Sequence, residues 1–242
     1  MSDEFKGIVG LDGVARPRNR RDFLRAVGLG GAVITIPVLM SACDDDTPTG
    51  GNGGGDTVTL DLRTNVGILN YAFALEQLEA AFYTAVVANF PSDLADAGER
   101  QILTDIRDHE VVHREFFRAA IPAANRIPDI TPVLAATQID TRAKVLGLAK
   151  TFEDLGVAAY GGAAKYLSTD ATGLGFLLVA GKIVSVEARH AAVIRDLINP
   201  KSADFAGDDI INAQGLERVL EPSAVLAAAD PFIQETIETQ GP

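Results

Sequence analysis

Two distant stretches of this chain carry the same pattern of acidic and imidazole side chains, and that repetition limits what the chain can fold into. Glu76 precedes Glu110 by 34 residues, and Glu153 precedes Glu187 by the same 34. A displacement of 77 residues carries Glu76 onto Glu153, Tyr83 onto Tyr160, Glu110 onto Glu187 and His113 onto His190. Self-similarity at a fixed offset marks a duplicated structural unit.

The unit reads as a helical hairpin. Over residues 65–89 the apolar stripe is Leu69, Ala72, Phe73, Ala80, Tyr83 and Val87, with Glu76 on it. A second run reaches about residue 121 through Ile102, Leu103, Ile106, Phe117 and Ile121, and Glu110 and His113 interrupt its apolar face. Pro122, Pro128 and Pro132 exclude regular helix until about Thr141. The third run, to Leu167, uses Val145, Leu146, Ala149, Phe152, Gly156, Tyr160 and Ala163, with Glu153 in its middle. Residues 169–175 read as a turn. The fourth run extends to Ile198 through Ile183, Val186, Ala191 and Ile194, broken by Glu187 and His190. The proline segment joining the halves spans about twenty residues, and at ~3.3 Å per residue it can run the length of a bundle. Helices two and three can therefore lie parallel, a crossover topology.

A carboxylate on a buried helical face costs several kcal/mol unless it is paired, protonated or bound to metal. Four such glutamates with two histidines need a common cause. The stretch His109-Glu110-Val111-Val112-His113 offers two. As H-E-x-x-H, both histidines would bind zinc with the glutamate as general base, a metalloprotease signature. As E-x-x-H, Glu110 and His113 would be one half of a di-metal site inside a bundle. The protease reading accounts for His109. It leaves Glu76, Glu153, Glu187 and His190 without a role, and no stretch makes a convincing sheet to align a peptide. Glu79, three residues after Glu76, is an ambiguity. It has no acidic counterpart, because position 156 is Gly, so Glu76 is preferred.

The set of Glu, E-x-x-H, Glu, E-x-x-H at matched spacing over residues 64–198 resembles the ferritin-like superfamily, in particular its bacterial ferritin-like and desiccation-related branch. The resemblance implies an all-α, ferritin-like four-helix bundle with a long crossover between helices two and three. By the same resemblance Glu110 and Glu187 bridge two metal ions, Glu76 and Glu153 are terminal carboxylates, and His113 and His190 are nitrogen donors. Carboxylate with imidazole suits iron or manganese, iron being favoured. Tyr83 and Tyr160, two turns beyond the single glutamates on the same face, are candidates to donate hydrogen bonds to the ligands or to relay electrons. Core tyrosines with satisfied hydroxyls would explain them equally well. His109 is left over, as a neighbour of the site or a surface histidine.

The remainder of the chain reads as processing and packing segments. Arg20 and Arg21, followed by Asp22-Phe23-Leu24, resemble a twin-arginine export signal. The apolar run over residues 26–42 is interrupted by glycines and Pro37, as suits a signal better than a membrane span. Met40-Ser41-Ala42-Cys43 resembles a lipobox, with the chain's single cysteine at the lipidated position. Residues 1–42 are thus the expected export signal and residues 43–62 a flexible Gly/Asp-rich tether. Residues 63–199 are the expected bundle, and residues 200–242 an irregular C-terminal extension with short helices packed on it. Removing residues 1–42 takes away six Lys/Arg and four Asp/Glu, moving the formal charge from −12 to −14. Such a charge argues against nucleic acid or an anionic membrane surface as the main partner.

The functional expectation is an exported bacterial lipoprotein, periplasmic or on the cell surface, held at a membrane through Cys43. It would carry two iron or manganese ions for oxidase- or peroxidase-type chemistry on O2 or hydrogen peroxide, in stress protection. The alternative is a metal-binding or structural, desiccation-related protein without turnover, and a minor one is the zinc protease. A homodimer is compatible with this reading.

Overall fold

The computed structural model describes residues 57–241. Arg20, Arg21 and Cys43 of the expected signal lie outside the described residues. Four long helices dominate: α1 (Asn65–Ala88), α2 (Ala97–Ala120), α3 (Arg142–Ala163) and α4 (Ala171–Ile198). The 77-residue offset carries Asn65, the first residue of α1, onto Arg142, the first of α3. It also carries Thr64 onto Thr141, and both threonines cap their helices by accepting from the backbone N–H three residues on. Asp96 and Asp170 cap α2 and α4 in the same manner.

Helices α1 and α2 form one hairpin and α3 and α4 the other, with α1 set against α3 and α2 against α4. α1 is apolar almost all round, and most of its residues are buried, as befits a helix at the centre of a bundle. α2 is strongly amphipathic and buries one stripe, Leu103, Ile106, Glu110, His113 and Phe117. α4 is long and apolar enough to cross a membrane by composition alone, yet its Ile183, Glu187, His190 and Ile194 are buried within the bundle. It begins at Ala171, inside the stretch expected to be a turn. Asp170 accepts from the Gly173 N–H at 2.8 Å and starts the helix there, so Gly173 and Gly175 lie within its first turns.

The segment between α2 and α3 contains two short 3₁₀ turns and is fastened lengthwise to α1. Asn70 accepts from the Ile127 N–H and donates to the Asn125 carbonyl, and one turn-pair further on Gln77 accepts from the Ile130 N–H. Two buried amides on α1 thereby satisfy backbone groups of a connection that has no regular partner.

The segments flanking the bundle are more ordered than expected. Strand β1 (Thr57–Asp61) pairs in parallel with β2 (Thr236–Gln240), Thr57 opposite Thr236. Val58, Leu60 and Leu62 are buried in the main core, so residues 57–62 belong to the fold and not to a tether. The C-terminal extension contains helix α5 (Pro222–Ala229), packed on α3, followed by β2. The expected irregular tail therefore includes a strand, and the chain has a small sheet after all. Before α5 the backbone crosses α3 closely. The Leu220 N–H donates to the Ala158 carbonyl, and a Cβ at Gly162 would lie 1.7 Å from the Leu220 carbonyl oxygen. Only glycine at 162 permits that approach.

Candidate metal centre

Each helix turns its acidic side chains toward the bundle axis. α1 supplies Glu76, α3 supplies Glu153, and α2 and α4 supply the pairs Glu110/His113 and Glu187/His190 from adjacent turns of one face. Glu76, Glu110, Glu153 and Glu187 are all fully buried, and both histidines nearly so. The structure thus brings together the six side chains singled out in the sequence.

Their donor atoms form two overlapping groups. Glu76, Glu110, His113 and Glu187 present atoms within 4.8 Å of one another, and so do Glu110, Glu153, Glu187 and His190. Glu110 and Glu187 belong to both groups, which is the arrangement that bridging carboxylates require. Each histidine reaches across to the other half of the repeat. His113 Nδ1 is 2.9 Å from Glu187 Oε1 and 3.4 Å from Glu76 Oε2. His190 Nδ1 is 2.9 Å from Glu110 Oε1 and 3.4 Å from Glu153 Oε2.

These short contacts are not hydrogen bonds. Both oxygens of Glu110 and of Glu187, Glu76 Oε2, Glu153 Oε2 and the Nδ1 atoms of His113 and His190 are buried without a hydrogen-bond partner. An unmet buried polar atom costs about 1–3 kcal/mol. So many in one place, aimed at a common centre and not at each other, fit a cation.

The outer oxygens are accounted for by the two tyrosines. Tyr83 Oη donates to Glu153 Oε1 at 2.5 Å, and Tyr160 Oη donates to Glu76 Oε1. Each bond joins one half of the repeat to the other, so the tyrosines orient the terminal carboxylates with their second oxygens inward. Burial, and then the charge of the partner glutamate, push both phenols well above their ordinary range, so they stay protonated donors.

Electrostatics separates the glutamates. Burial raises Glu76 to about 7. Burial also raises Glu187, and the charge of Glu110 adds to it. Burial acts to raise Glu110 too, but the imidazoles of His113 and His190 on either side outweigh it and hold the group down at about 2. His190 is opposed by its own burial, yet Glu153 and Glu110 lift it to about 10. Every one of these protons competes with a cation for the same lone pairs.

Glu79 is a fifth acidic group at the site, set aside in the sequence for want of a counterpart. It is buried, and its Oε1 has no hydrogen-bond partner. A Cβ on residue 156 would lie 3.1 Å from Glu79 Oε1 and 3.5 Å from Glu187 Oε2. Gly156 is thus not a missing acid but the space that an acid from α1 fills. A cavity of about 10 Å³, room for about one water, is lined by Glu79, Gly156 and apolar neighbours including Leu75 and Phe152. A glycine in the middle of a buried stripe, facing a cluster of acids, was the signal available in the sequence.

His109 lies outside both ligand groups. It is exposed on α2, and its Nδ1 sits 2.9 Å from the outer nitrogen, Nε2, of His190. The donor groups among the described residues thus take in His113 without His109, whereas the protease reading needs both.

Residues 64–200 match the family model described as "Ferritin-like domain". No curated protein matches the chain.

Proposed function

Since the chain belongs to the ferritin-like family, we propose that its buried cluster holds two ions, iron or manganese with iron favoured, for redox chemistry on O2 or hydrogen peroxide. The observation that carries the reading is the pair of donor groups sharing Glu110 and Glu187, with their inward atoms unsatisfied. In the proposed assignment Glu110 and Glu187 hold both ions, Glu76 with His113 completes one position, and Glu153 with His190 completes the other. Bound there, the ions would supply electrons in pairs to a small oxidant.

The protein's own residues limit what that oxidant can be. The ligands are enclosed by the four helices and almost wholly buried, which supports a diatomic or peroxide substrate over an organic one. Tyr83 and Tyr160 hold the terminal carboxylates in place, and as protonated phenols they stand within one hydrogen bond of the ligand set. The role we assign is protection of a cell exterior against oxidants. Residues 1–42 would serve as twin-arginine export signal and Cys43 as lipid anchor; Cys43→Ala is then expected to move the protein from the membrane fraction to the soluble one.

Anaerobic Fe(II) loading of the purified chain, followed by metal analysis and exposure to O2 or peroxide, tests the proposal. Two ions per chain that are oxidised with consumption of the oxidant support it. Saturation below about one ion per chain would sink the di-metal site. Two ions that neither oxidise nor consume peroxide would replace redox chemistry by metal binding alone.

A further inference from the structure

The two halves of the repeat treat their histidines differently. His190 presents Nδ1 to Glu110 and Glu153, while its Nε2 meets Nδ1 of His109 at 2.9 Å, the two rings lying nearly parallel at 6°. His113 presents Nδ1 to Glu187, Glu76 and Glu110 in the same way. Its outer nitrogen makes no hydrogen bond among the described residues. The 77-residue offset that maps His113 onto His190 maps His109 onto Val186, a side chain with nothing to donate or accept.

A neutral imidazole has one N–H and one lone pair, so the partner of its outer nitrogen decides whether the inner nitrogen can bind a cation. With the proton of His190 on Nε2 and donated to His109 Nδ1, the Nδ1 lone pair points into the site. The opposite tautomer would turn an N–H toward the cation. A hydrogen-bond acceptor on the outer nitrogen also fixes the ring plane and makes the ligand a stronger donor. His109 in turn would carry its own proton on Nε2, on the exposed side of α2.

We propose that His109 is a positioning residue: it sets the tautomer and orientation of His190 and makes the position bounded by Glu110, Glu153, Glu187 and His190 the tighter of the two metal positions. The inference rests on the di-metal reading, and it makes the two positions unequal although their ligands are related by the repeat.

Anaerobic calorimetric titration of the full chain with Mn(II) tests it, alongside His109→Leu and His109→Asn. The wild-type chain is expected to bind two ions in two resolved steps. His109→Leu should weaken the tighter step by about 10–100-fold, the usual loss when the outer partner of a ligating histidine is removed, and leave the weaker step within about two-fold. His109→Asn places an amide oxygen where Nδ1 stood and should restore most of the tighter step. His109→Asn keeps an acceptor for the buried His190 Nε2 and should hold the metal-free melting temperature within about 2 °C of wild type, while His109→Leu, which leaves that atom unpaired, should still unfold in one cooperative transition. Unchanged affinities in His109→Leu, equal weakening of both steps, or an asparagine variant as weak as the leucine one would each overturn the proposal while leaving the di-metal site standing. Failure of the wild-type chain to take up Mn(II) would overturn both.

Discussion

The Glu79 carboxylate fills the space that Gly156 leaves open: a Cβ on residue 156 would stand 3.1 Å from Glu79 Oε1, tighter than side chains normally pack. The helical hairpins are duplicated, but this contact is not. One half of the repeat contributes an extra acid and the other contributes room for it. The site therefore has five carboxyl groups for two imidazoles, and burial makes several of them hold protons that a cation could replace.

Glu79→Gln separates the needs of the metal-free and metal-bound states. Burial, and then the charge of Glu187, raise Glu79 well above its ordinary range and so favour its protonated form in the metal-free chain. Glutamine has nearly the shape of that acid, and the metal-free melting temperature is expected to stay within about 2 °C of wild type. The rise on adding Mn(II) should shrink, because a neutral amide is a poorer ligand and offsets no cationic charge. A full wild-type rise in the variant would remove Glu79 from the site. Gly156→Ala is expected to displace the carboxylate and reproduce part of the same loss.

Tyr83→Phe and Tyr160→Phe remove one donor each and leave an oxygen of Glu153 or Glu76 buried and unpaired. Each is expected to cost about 1–3 kcal/mol in urea unfolding of the metal-free protein. The two costs should be similar, since the bonds are equivalent under the repeat. A tyrosine whose loss is neutral would be a packing residue only.

Much of this was legible in the sequence because the repeat supplied a second witness for each residue. Glu76 alone is an awkward core acid; Glu76 with Glu153, each with a tyrosine two turns on, is a pattern. The same logic misled at Glu79, where the lack of a counterpart at residue 156 counted against it. Complementarity between halves, as between an acid and a glycine, leaves no repeated signature. The contact between His109 and His190 was hidden for another reason, since it depends on how α2 and α4 meet across the bundle. β1 and β2 were missed because five-residue strands some 180 positions apart carry too little local pattern to predict their pairing.

The charge cluster also predicts an unusual pH dependence for the metal-free protein. Glu76 rises from its ordinary 4.5 to about 7, chiefly through burial, so folding favours its acid form. Its stabilising contribution is complete below pH 4.5 and is lost as pH rises through about 7. His190 is lifted from 6.5 to about 10 by Glu153 and Glu110 against the effect of burial, so its contribution is lost as pH climbs from 6.5 through about 10. Glu110, held at about 2 by its imidazoles against its burial, contributes above pH 4.5 and loses that contribution as pH falls to about 2. These groups place greatest metal-free stability in mildly acidic solution. Metal binding needs the ionised carboxylates and should strengthen as pH rises through 7. Denaturant midpoints at pH 5, 7 and 9, with chelator and with Mn(II), check both trends. Metal-free stability that climbs from pH 5 to 9 would contradict the assignment.

The last prediction concerns where the folded domain begins. Thr57, Val58, Thr59 and Leu60 alternate between exposed and buried, and Leu60 is 1% exposed beside Leu62 in the main core. If residues 57–62 belong to the fold, Leu60→Ala should cost about 2–5 kcal/mol, the range for emptying a packed leucine site. Thr59→Ala, on the exposed face of the same strand, should stay within about 0.5 kcal/mol. Deleting residues 236–242 should destabilise to a degree comparable with Leu60→Ala, because it strips β1 of its only strand partner among the described residues and leaves its backbone groups unpaired. Equal and negligible effects of Leu60→Ala and Thr59→Ala would return this segment to the tether. A large difference between them would make the pairing of β1 with β2 the clasp that holds the two ends of the domain together over α1 and α5.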